Sequence, residues 1–180
     1  MSPELESNLI TKYHKIFSSS HCSIGFFIEC EDGWFNIIDR MLSSIQEHVE
    51  SSRNQRARDL RYNRALKAGL AGKPEYLYHY FQFGVKTYKV DPWVVDRANR
   101  DIRNATFRPL KECVQQVRAD QIKEKFGTLR FYYQGGDDYV AGIVSLAESI
   151  SNVTCERCGG PGKKTRSGWI KVLCDACKAK

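Results

Sequence analysis

The feature that most constrains the fold is a set of four cysteines near the C-terminus. They form two Cys-x-x-Cys pairs, Cys155/Cys158 and Cys174/Cys177, with fifteen residues between the pairs. This is the spacing of a zinc ribbon, in which four thiolates at two tight turns bind one zinc ion. Four protein ligands leave no position for water, so the pattern predicts structural rather than catalytic zinc. Two disulfides are the alternative use of these cysteines.

The residues around the cysteines support the ribbon interpretation. Gly159-Gly160 permits the chain to fold back beneath the metal, and Pro161-Gly162 then turns it outward. Residues 169–173 have the composition of a strand that returns to the second pair. We expect the ribbon, residues 155–180, to dock through Trp169 on the hydrophobic core of the preceding domain.

The length and composition are those of one ordinary domain with a small appendage. Of the 180 residues, 42% are hydrophobic, which is enough for a core. No apolar segment is long enough to span a membrane, and no N-terminal signal sequence is recognisable. We therefore expect a soluble, cytoplasmic protein without membrane contact. Cys22, Cys30 and Cys113 stand alone, which suits free thiols in a reducing compartment.

Hydrophobic residues recur at helical spacing in three stretches outside the ribbon. The first helix opens at Ser2-Pro3-Glu4, and its apolar face is predicted to continue to Phe17. Asp32 is predicted to cap the second helix. The Gly-Gly-Asp-Asp turn at 135–138 is predicted to cap the third helix. The acids at 29–32 also suit a metal, although capping explains them at lower cost. The predicted core contains Trp34, Ile38, Leu42, Ile45, Leu129, Phe131, Ile143 and Ala147.

Residues 117–133 read as a β-hairpin with its turn near Phe126-Gly127. Leu129, Phe131 and Tyr133 alternate with more polar neighbours, which is the period of a half-buried strand. A helix up to Phe126 is the competing interpretation. Residues 24–28 form a short apolar run, either a strand or a buried loop. The predicted class is therefore α+β: a mainly helical domain over residues 1–154, a small hairpin within it, and the C-terminal ribbon.

A basic insert at about residues 52–110 interrupts this pattern. Residues 51–73 hold seven basic side chains and one acid, and between residues 51 and 67 arginine outnumbers lysine five to one. This segment is either a solvated helix without a partner or a helix that binds phosphate or an acidic protein face. The predicted partner-binding residues are Arg53, Arg56, Arg58, Arg61, Arg64 and Lys67, with Lys163, Lys164 and Arg166 of the ribbon.

An aromatic segment follows the arginines at residues 75–84. Aromatic rings beside basic side chains are how single-stranded nucleic acid is stacked, but buried packing is the more frequent use of such rings. Asp91-Pro92-Trp93 then opens a helix that is predicted to end near Asn104.

Several short blocks together resemble a family of small proteins of tailed bacteriophages and prophages. The blocks are residues 31–35, 121–127, 129–132, the Gly-Gly-Asp turn at 135–137 and Cys-x-x-Cys-Gly-x-Pro-Gly at 155–162. The resemblance covers residues 30–50 and about 117–177, with residues 52–110 as an insertion found in a subset. It implies a phage origin and a four-cysteine metal site, and it implies no activity.

No convincing catalytic constellation is present in the sequence. Asp120 with Glu124-Lys125 matches a restriction-type nuclease motif only in part. Cys22 beside His21 has the residue types of a nucleophile and its base, but nothing else in the sequence supports that role. We therefore predict a phage-encoded binding or regulatory protein, not an enzyme, that engages a host protein or assembly. The alternative is a nucleic-acid-binding protein that uses the insert and the ribbon, and a nuclease ranks third.

Overall fold

The computed structural model describes residues 1–18, 28–82, 89–165 and 168–179. The chain divides into two compact units. Unit 1 comprises Met1–Glu50 and Val114–Lys180, and unit 2 comprises Ser51–Cys113. Helices dominate, and a small mixed sheet lies in unit 1. The α+β class predicted from the sequence is therefore confirmed.

The helices are mostly those that the sequence predicts. Their bounds are α1 Pro3–Lys12, α2 Phe35–Leu70, α3 Glu75–Phe81, α4 Pro92–Asn104, α5 Asp138–Ser151 and α6 Asp175–Lys178. α1 is shorter than predicted, because turns replace the helix after Lys12. Tyr13 and Phe17 nevertheless remain buried, and the Tyr13 hydroxyl donates to the Asp39 carboxylate at 2.8 Å.

α2 runs without interruption for 36 residues, straight through the change of composition at Ser51. Its sequence contains no glycine or proline before Gly69, so nothing breaks the backbone ladder. The abrupt change in composition therefore marks a change of surroundings along one helix. None of the helices in the described part of the chain combines the length and apolarity that a membrane span requires.

Asp32 does not cap α2 as the sequence predicted. It begins a one-turn 3-10 helix, Asp32–Trp34, which lies immediately before α2. The Asp32 carboxylate instead accepts a hydrogen bond from the Ser2 backbone N–H at 2.6 Å. Asp137, in contrast, caps α5 as predicted, because its carboxylate accepts from the Val140 N–H at 3.2 Å.

The sheet of unit 1 has three strands in the order β1-β2-β3. Its strands are β1 Ile28–Glu29, β2 Arg118–Lys125 and β3 Thr128–Gln134. β1 is parallel to β2 and β3 is antiparallel to it, so Ile28 and Phe131 both lie opposite Ile122. The predicted hairpin is confirmed, and the competing helix is wrong. The turn residues Phe126 and Gly127 have φ of 53° and 77°, the left-handed region.

The core of unit 1 lies between the sheet, α1, α5 and the first half of α2. Every member of the predicted core belongs to this cluster, with Ile143 only partly buried. Trp34, in the 3-10 helix immediately before α2, is the largest fully buried side chain of this core. Residues 24–27 of the predicted strand or loop lie outside the described residues, whereas Ile28 is in β1.

Unit 2 has its own small core, built from the second half of α2 with α3 and α4. It contains Tyr62, Ala65, Leu66, Leu77 and Ala98. α4 begins at Pro92 and ends at Asn104, as predicted, and Ala105 closes it in the left-handed conformation. The aromatic segment is used partly for packing, since Tyr80 and Phe81 contact this core and Tyr76 is half exposed.

Candidate metal centre and basic surface

Two short strands and two turns place the four cysteines. β4 Lys163–Lys164 pairs antiparallel with β5 Val172–Leu173, and α6 begins directly after Cys174. The returning strand is shorter than the five residues that the sequence predicted. Glycine is required after the first pair, because Gly159 has a φ of 75° and a Cβ there would lie 2.9 Å from the Gly33 carbonyl oxygen.

The four cysteine sulfurs converge as the sequence spacing predicts. The Sγ atoms of Cys155, Cys158, Cys174 and Cys177 all lie within 4.8 Å of one another, so they could hold one metal ion. A tetrahedral site with metal–sulfur bonds of about 2.3 Å separates its sulfurs by about 3.8 Å. The Cys158 and Cys174 sulfurs are 3.6 Å apart, which agrees with that geometry.

The backbone around Cys155 favours the thiolate that a metal needs. Burial by itself would raise the pKa of Cys155, but hydrogen bonds from the backbone of Cys174, Cys158 and Arg157 outweigh it and lower the pKa to about 6. The pKa of Cys177 is raised to about 12, first by its hydrogen bond with the Cys174 sulfur. The pKa of Cys155 is thus lowered while that of Cys177 is raised, so Cys155 gives up its proton more readily than Cys177.

The first cysteine turn docks on the segment that precedes α2. The Gly33 N–H donates to the Glu156 carbonyl at 2.7 Å, and the Trp34 indole N–H donates to the Thr154 carbonyl at 2.9 Å. The approach is close, since a Cβ at position 33 would lie 2.5 Å from the Glu156 oxygen and the Gly159 nitrogen. Gly33 and Trp34 thus belong to the metal site as supports.

Charged groups reinforce this docking. Glu31 accepts from Arg157 at 3.2 Å and also binds Lys171. Glu156, which is buried, accepts from the Glu31 N–H at 3.2 Å. Burial raises the pKa of the Glu156 carboxyl, and the hydrogen bond to Glu31 raises that of Lys171. Of the acids before α2, Glu31 therefore supports the ribbon, and the four cysteines are the only cluster of potential metal ligands among the described residues.

Trp169 does not dock the ribbon, so that prediction is wrong. Its side chain is 77% exposed, and its indole N–H donates to the Glu124 carboxylate at 3.3 Å. The buried contacts come instead from Cys155, Glu156 and Val172. The tryptophan that joins the ribbon to the core is Trp34, on the other side of the contact.

The predicted partner-binding residues are largely on the surface. Arg53, Arg58, Arg61, Arg64, Lys67, Lys163 and Lys164 are exposed, Arg56 is half-buried, and Arg166 lies outside the described residues. Arg56 donates to the Lys111 carbonyl at 2.6 Å, and Arg58 donates to the Gln55 side chain at 2.6 Å. None of Arg56, Arg58, Arg61 and Arg64 is therefore buried.

The excess positive charge of the protein belongs to unit 2. Residues 51–113 hold fourteen basic and six acidic side chains, a net charge of +8, whereas the rest of the chain has a net charge of −1. Asp59, the acid among the arginines of α2, is buried and binds Arg108 at 3.3 Å. Its hydrogen bond with Gln55, and then Arg108, lower the pKa of Asp59. Asp59 therefore offsets the charge of Arg108 before that of the arginines of α2.

Sequence reasoning missed a cavity beside the arginines of α2. The cavity has a volume of about 700 Å³ and is lined by Arg58, Arg61 and Arg64 together with residues of α3 and Arg108. Arg108 donates to the Tyr80 hydroxyl at 2.9 Å, and its guanidinium lies 3.9 Å from the Tyr62 ring centre. No spacing rule could have joined Arg108 to residues so distant in sequence.

The candidate nuclease acids have local structural partners. The Asp120 carboxylate accepts from Gln134 at 3.2 Å across the hairpin, and the Glu124 carboxylate accepts from the Gly127 N–H at 2.5 Å. Cys22 and His21, the candidate nucleophile and its neighbour, lie outside the described residues.

Comparison of the chain with protein-family models, with curated proteins and with solved structures finds no match. The resemblance to tailed-phage proteins therefore stays an expectation from the sequence. The features of the structure that bear on function are the cysteine cluster and the arginine-rich surface of unit 2.

Proposed function

We propose that the four cysteines bind one structural zinc ion. The observation that supports this is the convergence of four sulfurs within 4.8 Å of one another, in a cluster that includes no fifth ligand from the described residues. Four thiolates suit zinc, and a site closed by four protein ligands serves stability rather than catalysis. The zinc would fix the Cys155–Cys158 turn, and through it the contact with Gly33 and Trp34.

We further propose that the protein is a binding protein whose partner is nucleic acid. The observation that carries this proposal is the net charge of +8 on unit 2, with arginines exposed along α2. Guanidinium groups donate paired hydrogen bonds to phosphate, and this accounts for arginine where lysine would serve solubility equally well. Lys163 and Lys164 add exposed cations on the ribbon of unit 1.

Binding of a host protein, with the phage origin that the resemblance implies, is the second candidate function. One observation favours it. α5 and the residue pair after it expose four large apolar side chains, Tyr139, Leu146, Ile150 and Val153, each at least 43% exposed. Such a row of apolar side chains suits a protein partner better than a phosphate backbone.

Capture from a bacterial lysate on immobilised protein, with and without nuclease treatment, separates the two candidates. Nucleic-acid binding predicts that the captured material is digested by nuclease and is released by moderate salt. Capture of a protein that withstands nuclease, and that is lost when Leu146 is changed to Asp, would establish the second candidate instead.

A further inference from the structure

The cavity of unit 2 has the size and the chemistry of a ligand site. Its volume of about 700 Å³ falls within the range of about 300–1,000 Å³ that is typical of small-molecule pockets. Four arginines line it, and no acidic side chain is among the described residues that do so. All the described residues that line the cavity belong to unit 2.

The inner wall of the cavity is aromatic and is held in place by its neighbours. The Tyr80 ring lies 5.3 Å from Phe81 and 5.4 Å from Tyr62, both edge to face. Arg108 bonds to the Tyr80 hydroxyl, and the Tyr62 hydroxyl donates to the buried Asp101 carboxylate at 2.9 Å. Because the Tyr80 hydroxyl already has a partner, the wall formed by Tyr80 and Phe81 presents ring surface to a ligand.

The rim of the cavity is a row of cations. Arg58, Arg61 and Arg64 are three residues apart on α2, so they are neighbours on one side of the helix and extend over about 9 Å. Arg64 forms no ion pair with any described carboxylate, and the Asp59 carboxylate binds Gln55 and Arg108. A ligand that brings several negative charges in a row fits this rim better than a single anion.

Tyr76 adds an exposed ring at the same rim. Its side chain is 52% exposed and lines the cavity with His79 of the same helix. An exposed aromatic ring beside a row of arginines is the arrangement that stacks bases while the backbone phosphates bind the cations.

We propose that this cavity binds an unpaired nucleotide of a single-stranded nucleic acid. The base enters between Tyr76 and the aromatic wall, and the phosphates lie along Arg58, Arg61 and Arg64. The inference rests on the proposed nucleic-acid binding and names its subsite. A free nucleoside triphosphate shares the same chemistry, but the length of the arginine row favours a strand.

The test compares two single strands of equal length and charge by fluorescence anisotropy. One is a labelled oligothymidylate and the other is an abasic strand that keeps every phosphate. We expect the full-length protein to bind the oligothymidylate about tenfold more tightly, because only that strand can stack a base. Equal binding of both strands would overturn the subsite while leaving nucleic-acid binding intact. Binding of neither strand at low salt would overturn both.

Two pairs of variants assign the preference to the cavity. Tyr76→Ala should abolish the preference for bases, and Tyr76→Phe, which keeps the ring, should retain it. Arg64→Gln should weaken binding of both strands, and by more than Arg103→Gln, which removes one charge, also exposed, from α4 of the same unit. A Tyr76→Ala variant that keeps the full preference, or equal effects of the two arginine changes, would contradict the proposal.

Competition identifies the source of the nucleotide. ATP should displace the oligothymidylate only at concentrations far above the dissociation constant of the strand, because it offers one base and a shorter row of charges. Displacement by ATP at concentrations equal to that dissociation constant would assign the site to free nucleotides and would overturn the proposal that it binds a strand. Equal displacement by polyglutamate of matched charge would show a merely anion-binding surface, which also overturns it.

Discussion

At the scale of single residues, Gly33 is a position with no room for a side chain. It lies where the segment before α2 meets the first cysteine turn, and its N–H donates to the Glu156 carbonyl at 2.7 Å. Any side chain there meets backbone atoms rather than a movable side chain. A block that the sequence shows as Glu-Asp-Gly-Trp thus has its physical basis in the closeness of two backbones.

The first prediction follows from this contact. Gly33→Ala should lower the free energy of unfolding by about 1–3 kcal/mol, the usual cost of overpacking, and should weaken metal retention. Gly142→Ala is the matched control, because a Cβ there meets nothing within 4 Å inside α5. Thermal and urea unfolding of the metal-loaded proteins should show Gly142→Ala as stable as the parent or more so. Equal destabilisation by both changes would contradict the contact.

A second prediction concerns Ser151, which is fully buried at the end of α5. Its hydroxyl accepts from the Leu129 N–H at 2.9 Å and donates to the Glu148 carbonyl at 2.6 Å. Ser151→Ala leaves the Leu129 N–H unsatisfied, which should cost about 1–3 kcal/mol in urea unfolding. Ser149→Ala, at an exposed position two residues away, should change stability by less than about 0.5 kcal/mol. A small effect at Ser151 would show that the N–H finds another partner.

At the scale of elements, α2 shows how one helix can serve two purposes. Its first half presents Ile38, Leu42 and Ile45 to the core of unit 1, each fully buried. Its second half buries Tyr62 and Leu66 and exposes arginine elsewhere. The period of 3.6 residues is kept throughout, while the composition of the outer face changes.

The third prediction tests the buried face of α2. Ile38→Ala should lower the free energy of unfolding by about 2–5 kcal/mol, because the site is surrounded by core side chains. Ile150→Ala makes the same chemical change where the side chain is 43% exposed, and should cost well under about 1 kcal/mol. Chemical denaturation monitored by circular dichroism compares the two. A loss at Ile38 no larger than at Ile150 would show that the face was assigned wrongly.

At the scale of the whole molecule, the metal site and the basic surface belong to different compact units. The cysteines lie in unit 1 with the sheet, and the arginines of α2 lie in unit 2 with α3 and α4. A change at the metal site should therefore leave partner binding by the basic surface measurable, and a change in the arginines should leave metal content measurable. The two whole-molecule predictions use this separation.

The fourth prediction is that purified protein carries about one zinc ion per chain. Cys158→Ser should release the metal and loosen the ribbon, because a structural site loses most of its binding energy with one ligand. Cys113→Ser, at an exposed cysteine outside the cluster, should keep the metal. Elemental analysis of protein prepared under reducing conditions without chelator checks both, and zinc-free parent protein would contradict the site.

The fifth prediction concerns the arginines of α2 as a group. A variant with Arg56, Arg61 and Arg64 changed to Gln should fold, keep its metal and bind nucleic acid less tightly. Each phosphate contact removed should lower the salt dependence by about 0.7 to 0.9 in the logarithmic slope, so three contacts lower it by about 2 to 3. Titrations at several salt concentrations measure this. An unchanged slope would show that these arginines do not contact phosphate.

The sequence by itself determined the features that depend on local spacing. The cysteine pairs, the cap at Asp137, the start of α4 at Pro92 and the hairpin turn at Phe126-Gly127 all follow from short motifs. The core faces of α2 and α5 follow from hydrophobic periodicity, because a helix repeats every 3.6 residues whatever it packs against. Charge counting likewise located the basic stretch of α2.

Only the tertiary structure decided which of these features meet. Trp34 contacts Thr154 from 120 residues away, and Arg108 reaches Tyr80 from 28 residues away. Trp169 was expected to dock the ribbon, yet it is 77% exposed, and Gly33, Trp34 and Glu31 make the contact instead. Periodicity reports which face of an element is apolar, but not its partner. Partners are set by the packing of elements distant in sequence, and no local pattern encodes that choice.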